Sequence, residues 1–384
     1  MRVLFLAPHP FYQNRGTPLA VNQLLKVLSE RQERIDVITY HEGLDVTYRH
    51  VSIYRIPAIP FVKNIRPGFS WKKLVCDLLM VILVLKKVRQ NRYDVVHAVE
   101  ESVFIALLAK RVFGIPYVYD MDSSLAEQLV EKYPYLEPLS GIFHFFERMA
   151  IKHAKAVVPV CEELLKSISD IAQTIRLVLQ DVSLLQECRG RDGVDLGIHR
   201  RGNEVTIMYV GNLEEYQGID LLLESFAIAV NHYPATRLVL VGGADEDIAK
   251  YQKKTREFGV QEKVWFVGPK PIEDLSMFLA RADVLVSPRI KGKNTPMKIY
   301  SYLDSCKAIL ATDLPTHSQI LDKETAFLAP PNPQAFAHGM VTLCENESLR
   351  LRLGTSGKEL FERRFSRGAF REKVNYLYDQ LQKV

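Results

Sequence analysis

The sequence predicts an α/β protein built from two doubly wound parallel sheets, and three observations carry that prediction. Short apolar runs alternate with amphipathic helical stretches along the chain. The alternation breaks at residues 186–203, QECRGRDGVDLGIHRRGN, a polar stretch that reads as a linker. It then restarts in the same order of strand, glycine loop and helix, so residues 1–185 and 204–365 are each expected to form one Rossmann-like domain. With 384 residues the chain has room for two full cores.

Composition narrows the function classes. Hydrophobic content of 47% with 25% charged residues is that of a globular protein, and a formal net charge of +5 is too mild to mark a nucleic-acid binder. The five cysteines, Cys76, Cys161, Cys188, Cys306 and Cys344, form no C-x-x-C pair. That pattern argues against a disulfide framework or a zinc site and for reduced thiols in the cytoplasm. The apolar run before Pro8 is shorter than a signal-peptide core and reads as a first strand.

Val3 to Ala7 is that strand, His9 to Thr17 a loop, and the stretch after Pro18 a helix with Leu19, Val21, Leu24, Leu25 and Leu28 at helical spacing. Residues 35–40 give the next strand. The loop falls at the carboxyl end of its strand, where such sheets bind ligands, and Gly16 there admits a close backbone approach. A plain turn glycine is the alternative. Residues 46–93 then carry ten Lys or Arg against one acid, Asp77. Within them the apolar run 75–85 is too short to span a bilayer, which takes about 20 residues, and reads as a buried helix with basic ends. The basic cluster, with Phe61, Phe69 and Trp71 beside it, predicts peripheral docking on an anionic membrane surface.

Residues 93–101 form a strand leading into a helix from Ser102 to Phe113, and YVYD is a further strand that ends in the loop MDSS. His97, Glu100, Asp120 and Asp122 thus gather near strand ends. Acids in a loop are more commonly helix caps or solvated turns, and no metal is expected at Asp120 and Asp122. No H-E-x-x-H, phosphate-loop lysine or G-x-S-x-G motif is present. The helix at 146–154, the strand AVVPV and the segment CEELLKSI complete the first half.

The second half opens with the strand VTIMYV, a loop with Gly211 and Gly218, and a helix. RLVLVGG, VWFVG, VLVS and AILATD supply further strands with helices between them, so ligand loops of both halves are expected to face one cleft. The stretch VSPRIKGKNTPMKIYSYLDSC, residues 286–306, is strand, basic loop and helix. Asn294 or Thr295 suits the N-cap and Pro296 the first helical position. Pro296, Ile299, Tyr300 and Leu303 fall on one face, leaving Thr295, Lys298, Ser301 and Tyr302 on others. A hydroxyl, a lysine and free amides at a helix start suit an anion, most simply a phosphate; an ordinary capped helix is the alternative.

Taken as an ordered set, MYVGNLEEYQGIDLLLESF, RADVLVSP and NTPMKIYSYL, with RGTPLAV, DVVHAVEE, YVYDMDSS and FERMAIKHAKAVVPVCEEL before them, resemble the retaining GT-B glycosyltransferases of family 4 over nearly the whole chain. The resemblance implies a metal-independent hexosyltransferase-type enzyme without a cofactor. It would move a sugar, with retention, from a UDP-sugar, or alternatively a GDP-sugar, to a lipid-linked or glycan acceptor. It also implies a donor site mainly in the second domain, an acceptor site mainly in the first, and a helix at 366–384 packing back on the first. Arg289, Lys298, Asn294 and Thr295 would hold the diphosphate. Gly16 and Thr17 would approach the same phosphates, Gly211, Asn212 and Gln217 would line the donor loop, and Val267 and Pro269 would bracket the base. Asp120 and Asp122 would orient the sugar or the acceptor. A pair of glutamates usual in the family falls here at Lys293 and Ser301, and a usual lysine at Gln217; Ser301 would bond a ribose hydroxyl. No side chain stands out as a nucleophile, which suits a front-face reaction in which the leaving phosphate assists deprotonation of the acceptor. The expected place of work is the cytoplasmic face of a membrane, in glycolipid or polysaccharide synthesis. A nucleotide-sugar epimerase using His97, Glu100 and Asp122, and a non-catalytic nucleotide-sugar-binding subunit, are the other readings.

Overall fold

The computed structural model describes residues 1–13, 16–65, 68, 70–171, 175–185 and 202–383. The predicted linker lies outside the described residues but for its last two, and so do Arg66, Phe69 and Cys188. The chain divides into two compact units, residues 1–181 with 370–384, and residues 182–369.

Unit 1 runs β1 (Arg2–Ala7), α1 (Gly16–Glu30), β2 (Arg34–Thr39), β3 (Val51–Arg55), α2 (Trp71–Gln90), β4 (Val95–Val99), α3 (Val103–Phe113), β5 (Tyr117–Met121), α4 (Leu125–Lys132), α5 (Ser140–His153), β6 (Ala156–Pro159), α6 (Glu162–Ser167) and β7 (Ile175–Arg176). The strands pair in parallel in the order β3-β2-β1-β4-β5-β6-β7. A parallel sheet covered on both faces buries its central strands, which is why β1 after Arg2, β6, and β4 apart from His97 read as apolar runs. On one face Leu4, Leu6, Val96 and Ala98 meet Cys76, Met80 and Val84 of α2 and Ala106 of α3 in a single core.

Three expectations change here. Helix α1 starts at Gly16, not after Pro18, because proline is tolerated in a first turn that has no use for its missing N–H. Strand β3 was not expected; VSIYR is only half-buried at the sheet's edge and shows no apolar run. Helix α2 is longer than the predicted run and is not a buried helix. Only Lys73, Cys76, Met80, Val84 and Val88 are buried, while Trp71, Leu74, Leu78 and Ile82 are exposed.

Unit 2 runs β8 (Val205–Val210), α7 (Ile219–His232), β9 (Thr236–Val241), α8 (Asp245–Glu257), β10 (Val264–Gly268), α9 (Leu275–Arg281), β11 (Val284–Ser287), α10 (Lys298–Asp304), β12 (Ala308–Thr312), α11 (Pro315–Ser318), β13 (Phe327–Ala329), α12 (Pro333–Glu345) and α13 (Glu347–Arg364). Its sheet is parallel in the order β10-β9-β8-β11-β12-β13. The final helix α14 (Arg367–Gln382) belongs to unit 1 from Phe370 onward. Both sheets therefore reverse strand order beside their first strand, between β1 and β4 and between β8 and β11. That is where open parallel sheets hold ligands.

Candidate functional site

In unit 2 the loops after β8 and β11 flank the reversal. Gly211, the first residue past β8, has φ +150°, and a Cβ there would lie 2.7 Å from Lys298 Nζ, so the lysine depends on the missing side chain. Asn212 stands next, its carbonyl accepting from the Tyr209 hydroxyl at 2.6 Å. Lys298 Nζ donates to Gln217 Oε1 at 3.2 Å and sits 3.8 Å from the centroid of the Tyr209 ring. Burial, and then the nearby Arg289 guanidinium, hold this ammonium well below its ordinary value. An anion brought to it would reverse both effects.

Arg289 is fixed by its own loop. Its guanidinium donates to Lys291 O at 2.7 Å and to Asn294 Oδ1 at 3.0 Å, and lies over the Tyr216 ring at 5.2 Å. The Thr312 hydroxyl donates to Arg289 O at 2.6 Å and the Thr316 hydroxyl to Asn294 O at 2.8 Å. Thr295 is 3% exposed, and its Oγ1 has no hydrogen-bond partner among the described residues. A buried hydroxyl left so costs about 1–3 kcal/mol, a debt that a ligand oxygen would cancel.

The helix after this loop departs from expectation. Neither Asn294 nor Thr295 caps it: α10 begins at Lys298, its N-cap is Met297, and no side chain bonds to its first amides. The tight turn bonds Ile299 N to Pro296 O and Tyr300 N to Met297 O come first, so Pro296 sits in a turn ahead of the α-helix. The expected one-sided burial is also wrong, since Ser301 and Tyr302 are buried with Ile299, Tyr300 and Leu303. Ser301 is 1% exposed and its Oγ accepts from the Leu184 amide at 3.0 Å, so this hydroxyl already has a partner within the fold. Val267 and Pro269 lie at the carboxyl end of β10, half-buried and exposed. Three strand spacings separate β10 from β11, about 14 Å along the same edge of the sheet.

Sequence reading missed His317. It is fully buried in α11, with Nε2 2.8 Å from Ser287 Oγ and Nδ1 3.0 Å from Thr312 O. Burial lowers it to about 3, so the ring is neutral: Nδ1–H donates to the carbonyl and Nε2 accepts from the serine. It thereby ties the end of β11, where Arg289 starts, to the end of β12. Nothing in THSQ distinguishes such a histidine from a surface one.

Unit 1 gathers acids at the same place in its topology. Glu100 follows β4 with φ +46°, a left-handed conformation that costs a non-glycine residue about 1 kcal/mol or more. Burial first, then Glu101, raise its carboxyl. Asp122 lies past β5, raised well above the usual carboxylate range by burial and by Asp120, Glu100 and Asp181, against a hydrogen bond from Thr17. Thr17 and Asp122, which the sequence singled out separately, are thus brought together. Gly16, exposed at the start of α1, would meet nothing within 4 Å if it carried a Cβ. Asp181, which sequence reading passed over, is raised to about 7 by burial and then by Asp120. Among the described residues no group of three or more His, Cys, Asp or Glu could hold a metal ion.

Asp120 is the end of a relay. Its Oδ2 lies 3.2 Å from His97 Nε2, and His97 Nδ1 lies 2.9 Å from the Tyr378 hydroxyl of α14. The ring of His97 is stacked between Phe5 at 4.7 Å and Tyr378 at 6.1 Å. Burial keeps the Tyr378 phenol protonated, so it donates to Nδ1 and leaves Nε2–H to donate to Asp120.

Residues 15–172 match the family described as "Glycosyl transferase 4-like domain" and residues 204–346 that described as "Glycosyl transferases group 1". The chain is 23% identical over 393 residues to the phosphatidyl-myo-inositol mannosyltransferase of Mycobacterium tuberculosis, covering 94% of this chain and 93% of that one. Among solved structures it is similar to the sucrose-phosphate synthase of Thermosynechococcus elongatus, with TM-score 0.79 and 18% identity over 100% of this chain and 99% of that chain. It is also similar to Anabaena Alr3699/HepE in complex with UDP, with TM-score 0.76 and 14% identity over 99% and 100%. At these identities the solved structures speak for the fold.

Proposed function

This chain belongs to the group 1, family 4 glycosyltransferases of the GT-B fold and is a nucleotide-sugar-dependent enzyme, and from that premise we propose that it transfers a sugar with retention from a UDP-sugar to a membrane-associated glycolipid or polysaccharide acceptor. The observation that carries the donor half is the half-buried cationic pair in unit 2. Lys298 is held below its ordinary value by burial and by Arg289, beside an orphaned Thr295 hydroxyl, and a diphosphate supplies the negative charge that stabilises all three. In the reaction the same groups take up charge on the leaving diphosphate, as an oxyanion hole does. Gly211, Asn212 and Gln217 line the sugar end, Asn294 holds Arg289 in place, and Val267 and Pro269 flank the base. UDP is favoured over GDP, in keeping with the ligand of the Anabaena protein. In unit 1, Asp120 and Asp122 bind hydroxyl groups of the acceptor, with Thr17 fixing Asp122.

The membrane half rests on α2. Its outward stripe reads Trp71, Leu74, Leu78, Ile82, Lys86, Arg89, four apolar side chains followed by two cations. Keeping each of those apolar groups in water forgoes about 1.5–3 kcal/mol, which an anionic bilayer surface would return. No helix among the described residues is long and apolar enough to cross a membrane, so the contact is peripheral. We place it on the cytoplasmic face.

The test is direct. The chain with UDP-sugars and a membrane extract should form a product whose new linkage keeps the donor's anomeric configuration by NMR, with UDP released. An inverted linkage would end the retention reading, and release of GDP from GDP-sugars alone would end the UDP one. Flotation with phosphatidylglycerol vesicles should retain the protein at low salt and lose it as salt rises; no retention at low salt would end the docking reading.

A further inference from the structure

Lys298 stands at the strand ends of unit 2 without a counter-charge. An ammonium has three N–H groups to place. One donates to Gln217 Oε1 at 3.2 Å, and the Tyr209 ring, with its centroid at 3.8 Å, takes up part of the charge. Among the described residues Gln217 is its only hydrogen-bond partner, and no carboxylate pairs with it.

Gln217 is held firmly enough to fix that ammonium. It closes the short turn Glu215–Gln217 and is 7% exposed. Within the turn Gln217 N donates to Glu214 O at 2.9 Å and Gly218 N to Glu215 O at 3.0 Å. Gly218 follows at φ +74°, and a Cβ there would run into Pro288 O, so the missing side chain lets the turn press against the loop that carries Arg289. Ile290 N donates to Tyr216 O at 3.0 Å and ties the two loops together.

The residue type matters as much as the place. The same turn region carries two acids, Glu214 and Glu215, and both are exposed, while the buried place goes to an amide. An amide oxygen orients an N–H as a carboxylate oxygen does, yet it brings no charge. A carboxylate there would cancel the ammonium and repel a diphosphate. The amide leaves the positive charge to the ligand.

We propose that Gln217 is the positioning residue of Lys298, a neutral holder that aims the ammonium at the donor's diphosphate and keeps its charge uncompensated until the diphosphate arrives. The proposal rests on the reading that Lys298 meets that diphosphate, and its test separates the two. The full chain is titrated with UDP by calorimetry and with uridine, which lacks the phosphates, by ligand-observed NMR. Gln217→Glu keeps the shape and an acceptor oxygen. It should weaken UDP binding at least about tenfold, leave uridine binding as in the parent chain, and melt no lower. Gln217→Met keeps the length and loses the amide oxygen, and should weaken UDP about threefold to tenfold, again with uridine unchanged. Lys298→Gln alone should lose at least about tenfold in UDP affinity, and moving the ammonium across the bond, Gln217→Lys with Lys298→Gln, should restore it to within about fivefold of the parent. Where the swapped chain does not fold, Gln217→Glu decides. Equal losses of uridine and UDP in the Gln217 variants would mean that the side chain only shapes its loop, and overturn the proposal. UDP binding untouched by Gln217→Glu and Gln217→Met, where Lys298→Gln weakens it, overturns the proposal and leaves the donor reading standing. If Lys298→Gln binds UDP as the parent does, the donor reading of Lys298 falls and takes this proposal with it.

Discussion

Units 1 and 2 share a strand order and a reversal point, yet they load the same edge with opposite charge. Unit 1 brings Glu100, Asp120, Asp122 and Asp181 to the ends of its strands, whereas unit 2 brings Arg289 and Lys298. Each edge strains its like charges: burial and neighbouring acids raise the carboxyls of Glu100, Asp122 and Asp181, and burial with Arg289 lowers the ammonium of Lys298. Topology chooses where a ligand goes, and the side chains choose its charge. A diphosphate suits the second edge. Neutral hydroxyl groups, which bond to carboxyls in either protonation state, suit the first.

The sharpest way to break this contrast is to remove the cation from unit 2. Lys298→Met should lower turnover by about 10²–10³-fold, the effect of losing one pre-placed donor to developing charge, and should weaken UDP binding by about 1.5–3 kcal/mol in calorimetry. It should also leave the ligand-free protein at least as stable, because a buried charge has been replaced by an apolar chain. Unchanged UDP affinity would take Lys298 out of the site. His317→Leu should cost about 1–3 kcal/mol in denaturant unfolding, by stranding Ser287 and the Thr312 carbonyl. Its UDP affinity should fall with it, through the loosened Arg289 loop.

On the acidic side the sign of the pH dependence decides. Asp181 is raised from 3.8 to about 7, so between those values the folded state binds more protons than the unfolded one and stability falls as pH rises. Thermal melting of the parent chain should therefore drop between pH 5 and pH 8, and Asp181→Asn should flatten that drop by a few degrees. An unaltered slope would mean that Asp181 does not hold its proton. The smallest effect is expected from Tyr378→Phe, about 1 kcal/mol for one lost hydrogen bond to His97. Its informative readout is an altered pH profile of kcat with KM for UDP-sugar unchanged, since the relay ends at Asp120 and unit 2 is untouched.

Strands buried on both faces announce themselves as apolar runs, so β1, β4, β8 and β11, and with them the reversal points, were legible in the sequence. Gly211 and Lys298 were legible as site candidates because each carries a chemistry that its loop position explains. Pairings across the sheet were not. Thr17 with Asp122, and His97 with Tyr378, join segments that no local pattern connects. Asp181 lies after β7 in a segment without helix or strand, with no periodicity to weigh it by. The exposed stripe of α2 was hidden for the opposite reason: with apolar residues on nearly every face, the sequence did not say which face looked outward.

His97 and Tyr378 are 281 residues apart along the chain, with the whole of unit 2 made between them. On a ribosome the seven-stranded sheet of unit 1 is synthesised first, yet Tyr378 reaches His97 only after unit 2 has emerged. The sheet of unit 1 thus waits for α14, its long-range contacts closing late. Until then His97 lacks one of its two stacking faces, and Asp120 is held by a ring without its anchor. The setting of Asp120 is in this way tied to the emergence of α14, and a nascent chain that already folds unit 2 has the acidic edge of unit 1 still to set.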